Sequence, residues 1–123
     1  MSLEEIHQIP RKVIEDKRGW FCKIIDGKEN KNPNNVEVYL TSAKPGESKG
    51  GHYHKIANEW FTLVKGKAKL HLLDIHNNKY KTIDLSDGDK KTIFVPPFIA
   101  HEFENSGNND FILVAYTDTE YCP

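Results

Sequence analysis

The chain has 123 residues, with 17 basic and 18 acidic side chains and a formal net charge of −1 at pH 7. This length is close to the common size of one domain, and the balanced charge provides no field that would favour nucleic acid or an anionic membrane. Charged residues make up 28% of the chain, and no apolar run approaches the roughly 20 residues that a membrane-spanning helix needs. We therefore expect one globular domain over residues 1–123, without a nucleic-acid or membrane partner.

The N-terminus and the two cysteines bear on the cellular compartment. Residues 1–10 contain acids and no apolar block, so they do not resemble a signal peptide. Two cysteines do not make a disulfide framework in a chain of this size. Cys22 lies in an apolar stretch and is expected to be a buried free thiol, whereas Cys122 is expected to be exposed. These features predict a reducing, cytoplasmic setting.

Strand patterns dominate the chain, and only Leu3–Gln8 has the pattern of a short helix. Segments rich in Asn, Asp, Gly and Pro separate the candidate strands. Each candidate either alternates polar with apolar residues or is rich in β-branched and aromatic residues. They are 20–25, 36–41, 60–65, 67–72, 80–85, 92–95, 101–104 and 111–117. Many short strands with no helical pattern predict an all-β sandwich or barrel.

A His-x-His pair followed by a glutamate has the spacing of a metal site. Residues i and i+2 of a strand face the same side, so His52 and His54 are expected to point together into the barrel. Glu59 follows a short turn and begins the next strand, which returns its carboxylate to the same place. Gly66 is then expected to allow a tight hairpin.

A second block, Pro96–His101, is expected to bring His101 in from a neighbouring strand. Three imidazoles and one carboxylate suit Fe, Mn, Co, Ni or Zn as divalent ions and do not suit calcium, which prefers oxygen ligands. We predict one divalent transition metal bound by His52, His54, Glu59 and His101. The barrel that carries this site covers residues 46–117, and the N-terminal strands cover residues 10–45.

The two blocks resemble the two motifs of the cupin family. The residues from Gly46 to Gly66 match the first motif in spacing, and those from Gly88 to Asn105 resemble the second. The second block departs in two ways: the gap between Gly88 and Pro96 is longer than usual, and Phe98 stands where the family has glycine. The resemblance implies a single-domain cupin, an all-β jelly-roll barrel also described as a double-stranded β-helix.

A narrower resemblance is to nucleotide-sugar epimerases related to dTDP-4-dehydrorhamnose 3,5-epimerase. It rests on residues 16–21, 49–54 and 96–103. In that family His52 matches the general base, and the tyrosine general acid falls at Ala115, one residue from Tyr116. The resemblance implies His52 and Tyr116 as catalytic candidates. The family has glutamine at His54 and an enolate-stabilising lysine at Glu59, so a metal set replaces the metal-free catalytic set.

The chain is also similar to the metal-binding C-terminal cupin domain of capsular-polysaccharide sugar reductases. The similar segments are 51–54, 58–61, 64–67 and 96–107. Those domains bind a metal with the matching ligands and epimerise a 4-keto nucleotide sugar next to the ketone. The resemblance implies an epimerase of a nucleotide-linked 4-keto-6-deoxy sugar in polysaccharide biosynthesis. It also implies a homodimer that exchanges N-terminal strands, and Arg18 and Lys49 are candidate contacts for the diphosphate.

Two other classes of function fit the same ligands. One is a metal-dependent cupin dioxygenase or small-acid isomerase, and the other is a non-catalytic sugar-binding module. If His52 binds the metal it cannot also be the base, since its lone pair is used. The sequence then leaves several candidates for the base, which are Tyr39, Tyr53, Glu102, Tyr116 and Asp118.

Overall fold

The computed structural model describes residues 2–29, 31–32 and 34–119, so Cys122 and the other closing residues lie outside the described part. The described residues form ten strands and two 3₁₀ turns, Leu3–Glu5 and Asp87–Asp89. The strands are β1 (Ile14–Asp16), β2 (Gly19–Ile25), β3 (Glu37–Ala43), β4 (Ser48–His52), β5 (Glu59–Lys65), β6 (Lys67–Asp74), β7 (Tyr80–Ser86), β8 (Thr92–Val95), β9 (Ile99–Asn105) and β10 (Ile112–Thr117). Within the described residues, no helix has the length and apolar character needed to span a membrane.

The strands form two antiparallel sheets. One has six strands in the order β1-β2-β3-β10-β5-β8, and the other has four in the order β4-β9-β6-β7. Neighbours in each sheet are often distant in sequence, as in the pairing of Leu113 with Thr41. The predicted all-β, two-sheet barrel is therefore confirmed.

The inner faces of both sheets supply one core. In β6, Ala68 and Leu70 are fully buried while Lys67 is exposed, as the alternation of this segment predicts. Their partners include Phe61 and Leu113 from the six-stranded sheet. Sequestering these side chains from water is the main stabilising contribution to the barrel.

Two local predictions were wrong, and the list of predicted strands was incomplete. The segment Leu3–Gln8 forms only a 3₁₀ turn over Leu3–Glu5, and the edge strand β1 was not predicted. Gly66 does not close a hairpin, because β5 belongs to the six-stranded sheet and β6 to the four-stranded one. The chain turns from one sheet to the other at Gly66, where φ is +98° and a Cβ would lie 3.0 Å from the Cβ of Phe111. Glycine suits this corner because it has no Cβ.

Candidate metal centre and cavity

The structure brings all four predicted ligands to one end of the barrel. His52 ends β4 and is the cross-strand partner of His101 in β9, and Glu59 is the first residue of β5. His52, His54 and His101 each have one ring nitrogen in this cluster. These three nitrogens all lie within 4.8 Å of one another. This separation places three imidazoles close enough to share one ion.

His54 reaches this cluster by a route that simple strand alternation does not describe. β4 ends at His52, so His54 lies in the loop that follows, where its carbonyl oxygen accepts a hydrogen bond of 2.8 Å from the backbone of Phe98. The pairing of β4 with β9 shifts between Gly50 and His52. Gly50 has φ +103°, and a Cβ there would lie 2.6 Å from the carbonyl oxygen of His101. The shift in the pairing of β4 with β9 therefore requires glycine at position 50, next to the site.

Glu59 is a buried carboxylate that contacts two of these three histidines. It is 1% exposed, and its Oε1 lies 2.9 Å from Nε2 of His54 and 3.2 Å from Nε2 of His101. The Tyr39 hydroxyl donates a 3.3 Å hydrogen bond to the other carboxylate oxygen. Burial raises the pKa of Glu59, but the His101 and His54 rings outweigh it and hold this pKa at about 2. The carboxylate is therefore ionised at neutral pH.

The His101 ring is oriented in the manner of a metal ligand. Its Nδ1 lies 3.0 Å from the carbonyl oxygen of Ile99, which can only accept, so Nδ1 carries a proton. In the neutral ring, Nε2 then directs a lone pair at the Glu59 carboxylate oxygen, 3.2 Å away. At that distance the two atoms need a cation between them, which is either a proton on Nε2 or a metal ion bound by both. This donor set fits a divalent metal, and a second ring nitrogen bonded to a backbone carbonyl is usual for such ligands.

The two remaining histidines have shifted pKa values of opposite sign. Burial is the main reason that the pKa of His52 is lowered, and the neighbouring His101 and His54 lower it further. The contact with the Glu59 carboxylate raises the pKa of His54. The lowered value at His52 favours the neutral imidazole, which is the form that binds a metal.

Asn58, the residue before Glu59, is held by a contact that the sequence analysis did not foresee. Its backbone N–H and side-chain amide donate to the two carboxylate oxygens of Asp118 at 2.9 and 2.8 Å. The Asp118 N–H donates back to the Asn58 carbonyl at 3.2 Å. Burial raises the pKa of Asp118, but the Asn58 bonds lower it more. Asp118 therefore fixes the start of β5, and it does not line the cavity described next.

A cavity of about 420 Å³ adjoins the cluster and contains both predicted cations. Its polar lining comes from Asp16, Arg18, Tyr39, Thr41, Lys49, His52 and His101, and Phe21 and Phe61 are among its apolar walls. Arg18 is paired with Asp16 at 2.8 Å in an exposed position. Lys49 is only 9% exposed, and its ammonium group donates to the carbonyl oxygen of Trp20 at 3.3 Å. The cavity thus combines two imidazoles with one exposed and one buried cation.

The structure does not bring Tyr116 to this cavity. Alternation along β10 buries Ala115 completely and turns Tyr116 to the outer face, where it is 38% exposed and packs on Trp60 with 5.4 Å between ring centroids. Glu102 alternates with the inward His101 and does not line the cavity either. Tyr53, at 41% exposure, also lies outside the lining. Of the base candidates, Tyr39 alone lines the cavity among the described residues.

Comparisons with known proteins agree with this architecture. A family described as "Polysaccharide biosynthesis C-terminal domain" matches residues 14–123. A UDP-2-acetamido-2,6-beta-L-arabino-hexul-4-ose reductase of Pseudomonas aeruginosa is 24% identical over 103 residues, which cover 84% of this chain and 26% of the reductase. The chain thus spans about a quarter of that relative's length.

Solved structures show the same barrel. The capsular polysaccharide assembling protein CapF of Staphylococcus aureus aligns with a TM-score of 0.84 and 26% identity, covering 94% of this chain and 31% of CapF. Oxalate decarboxylase of Bacillus subtilis, whose Mn(II) centres were studied, aligns with a TM-score of 0.78 and 20% identity, covering 91% of this chain and 29% of the enzyme. The second likeness shows the fold alone.

Proposed function

Since the chain belongs to the polysaccharide biosynthesis C-terminal domain family and has the cupin fold, we propose that it is a metal-binding epimerase of a nucleotide-linked 4-keto-6-deoxy sugar. The observation that carries this proposal is the convergence of His101 Nε2 and the ionised Glu59 carboxylate beside a cavity lined by two basic side chains, Arg18 and Lys49. The Pseudomonas relative supports the substrate class, because its name specifies a UDP-linked hexul-4-ose.

The proposed metal ligands are His52, His54, Glu59 and His101, and the ion is Zn, Fe, Mn, Ni or Co in divalent form. When bound, such an ion supplies a Lewis acid that polarises a ketone oxygen. The chain's own residues do the rest. Arg18 at the exposed end of the cavity binds the diphosphate, since guanidinium groups suit phosphate oxygens. Lys49 contacts the sugar, and the walls of Phe21 and Phe61 limit access of water.

Deuterium uptake tests the proposed reaction. We expect the metal-loaded protein in deuterium oxide to catalyse exchange of the proton next to the ketone of a UDP- or dTDP-linked 4-keto-6-deoxyhexose. The sugar's mass should rise by one unit per exchanged position, and inversion at that carbon should appear by NMR. Sugar binding without exchange would favour a binding module, and metal-dependent oxygen consumption would favour a dioxygenase; either result would contradict the epimerase.

The outer face of the six-stranded sheet supports the proposed homodimer. Four uncharged side chains from neighbouring strands lie side by side in a row on this face because they are cross-strand partners. They are Val38, Tyr116, Trp60 and Phe94. A solvated antiparallel face usually carries alternating polar residues, and Phe94 is nevertheless 49% exposed. The N-terminal segment is similarly apolar and exposed at Leu3, Ile6, Ile9 and Val13 (84, 69, 53 and 52%). We propose that a second copy covers this face and that the N-terminal segments are exchanged, which a two-fold axis permits.

A charge placed in this row should separate the copies. Phe94→Glu would bury a carboxylate without a partner in the proposed interface, so we expect the dimer dissociation constant to rise at least about a hundredfold. Light scattering after size exclusion measures the mass of each species. The control is Thr82→Glu, which adds the same charge at an exposed position of the four-stranded sheet and should leave a dimer. A monomeric wild type, or a dimeric Phe94→Glu, would contradict the proposed interface.

The cytoplasm is the proposed location. Cys22 is a buried free thiol, which agrees with a reducing compartment.

A further inference from the structure

The proposed site lacks a base once His52 is committed to a metal. The cavity-lining side chains that can exchange a proton are Asp16, Arg18, Tyr39, Lys49, His52 and His101. Arg18 remains protonated in proteins. Asp16 is bound to Arg18 through its side chain and backbone, and these bonds hold the pKa of its carboxyl far below the usual range. The Tyr39 hydroxyl is directed at Glu59. Lys49 is the remaining group: it is not a proposed metal ligand, and it is not hydrogen-bonded to one.

We propose that Lys49 is the catalytic base: its neutral amine removes the proton from the carbon next to the ketone. This inference rests on the proposed function, and it sharpens the role of Lys49 from a sugar contact to the group that moves the proton. A lysine can take this role because its amine is a strong base once it has lost its charge.

The position of Lys49 in the barrel supports the assignment. It pairs across β4 and β9 with Phe103, a core residue that is 2% exposed, so both side chains point inward. Its Nζ donates to a neutral acceptor, the Trp20 carbonyl at 3.3 Å. Among the described residues no carboxylate forms an ion pair with this ammonium group, and Asp16, the acid of the cavity lining, is itself paired with Arg18 at 2.8 Å. A buried ammonium without an ion-pair partner favours loss of its proton.

The two neighbouring charges act in opposite directions. Burial is the largest cause of the lowered pKa of Lys49; the Asp16 carboxylate, the next largest influence, raises it, and the Arg18 guanidinium lowers it by less. The other titratable groups facing the cavity are Tyr39, His52 and His101, on β3, β4 and β9. Neither imidazole adds a negative charge that would hold Lys49 protonated.

The step is a balanced proton transfer. The neutral amine of Lys49 bonds to the proton as the adjacent C–H bond breaks. The electron pair of that bond forms the C=C bond of an enolate, and the charge moves to the former ketone oxygen. Water on the opposite face supplies the proton that re-forms the C–H bond, and the Lys49 ammonium returns its proton to the resulting hydroxide. No oxidant or second substrate is needed.

The test compares Lys49→Arg with Lys49→Ala in the metal-loaded protein, using deuterium exchange of the 4-keto sugar. Arginine keeps the cation but cannot serve as a base, so we expect kcat for exchange to fall about 10²- to 10⁴-fold while KM changes little. Added primary amines such as methylamine should restore part of the exchange to Lys49→Ala, with a rate that rises with the amount of free base. Wild-type exchange should rise with pH and level off above the pKa of Lys49.

The outcomes separate this inference from the proposed function. Absence of exchange in the wild type would overturn the proposed function and this inference with it. Wild-type exchange that persists in Lys49→Arg would overturn only the role of Lys49 as base and leave it a cationic contact. If circular dichroism shows that Lys49→Arg does not fold, the test is exchange by Lys49→Ala with increasing amounts of added amine. A rate that rises with amine supports Lys49 as the base. A rate that does not change with amine, in folded Lys49→Ala, overturns this role.

Discussion

Glu59→Ala should leave almost no divalent metal on the purified protein, whereas the wild type should retain about one equivalent per chain after dialysis. The carboxylate is the only anion of the proposed ligand set, and it lies within 3.2 Å of two imidazole nitrogens. Its removal takes away a ligand and the charge that offsets the ion. Elemental analysis by plasma mass spectrometry measures the loss, and the circular dichroism spectrum should remain that of a β-rich fold.

A matched control lies on the outside of the same barrel. Glu104 also contacts a histidine, with 2.9 Å between its Oε1 and His71 Nε2, but this pair is part-exposed and lies away from the cluster. Glu104→Ala should therefore retain full metal occupancy. Glu59→Gln, which keeps the side-chain volume, should lose most of the metal through loss of charge alone. Full occupancy in both Glu59 variants would refute the site.

Gly19→Ala should be among the most destabilising single substitutions in this chain. Gly19 has φ +155°, and a Cβ there would lie 1.9 Å from the backbone oxygen of Ser42 and 3.0 Å from Cα of Ala43. These atoms belong to β3 in the middle of the sheet order, so relief requires β2 and β3 to separate locally. We expect the free energy of unfolding, measured by urea denaturation, to fall by about 4 kcal/mol or more.

Gly46→Ala is the matched control. Gly46 also has a positive φ, +80°, but nothing lies within 4 Å of a Cβ built there. Its expected cost is the backbone term alone, about 1–2 kcal/mol. Equal losses in the two variants would show that backbone conformation, and not the contact with β3, sets the requirement for glycine at position 19.

Alternation in the sequence predicted most strands, but it could not assign them to sheets. The run from Glu59 to Asp74 is interrupted by one glycine and looks like a hairpin, although its two halves lie in different sheets. Local patterns cannot distinguish these cases, because which strands pair is decided by contacts between distant residues. β1 is only three residues long and contains one apolar residue, Ile14, so it is too short to show an alternating pattern.

The four candidate ligands could be proposed from their spacing and from the resemblance to the two cupin motifs, but the structural basis of their positions could not be predicted. His54 lies beyond the end of β4, in a conformation that depends on Gly50 and on a backbone hydrogen bond from Phe98. The burial of Lys49 follows from its pairing with Phe103 in a strand about fifty residues away in sequence. The bonds between Asn58 and Asp118 likewise span a separation of 60 residues, and neither residue type signals them.

The position of β10 has a consequence for how the barrel forms. This strand comes last among the ten, yet it lies between β3 and β5 in the middle of its sheet. During synthesis β3 and β5 must wait for residues 112–117 before either gains this neighbour. The wide separation of the paired strands makes loop closure costly, so we expect folding on a millisecond-to-second timescale. Until residues 112–117 have left the ribosome, a gap through the centre of the larger sheet leaves one edge of β3 and one edge of β5 unpaired.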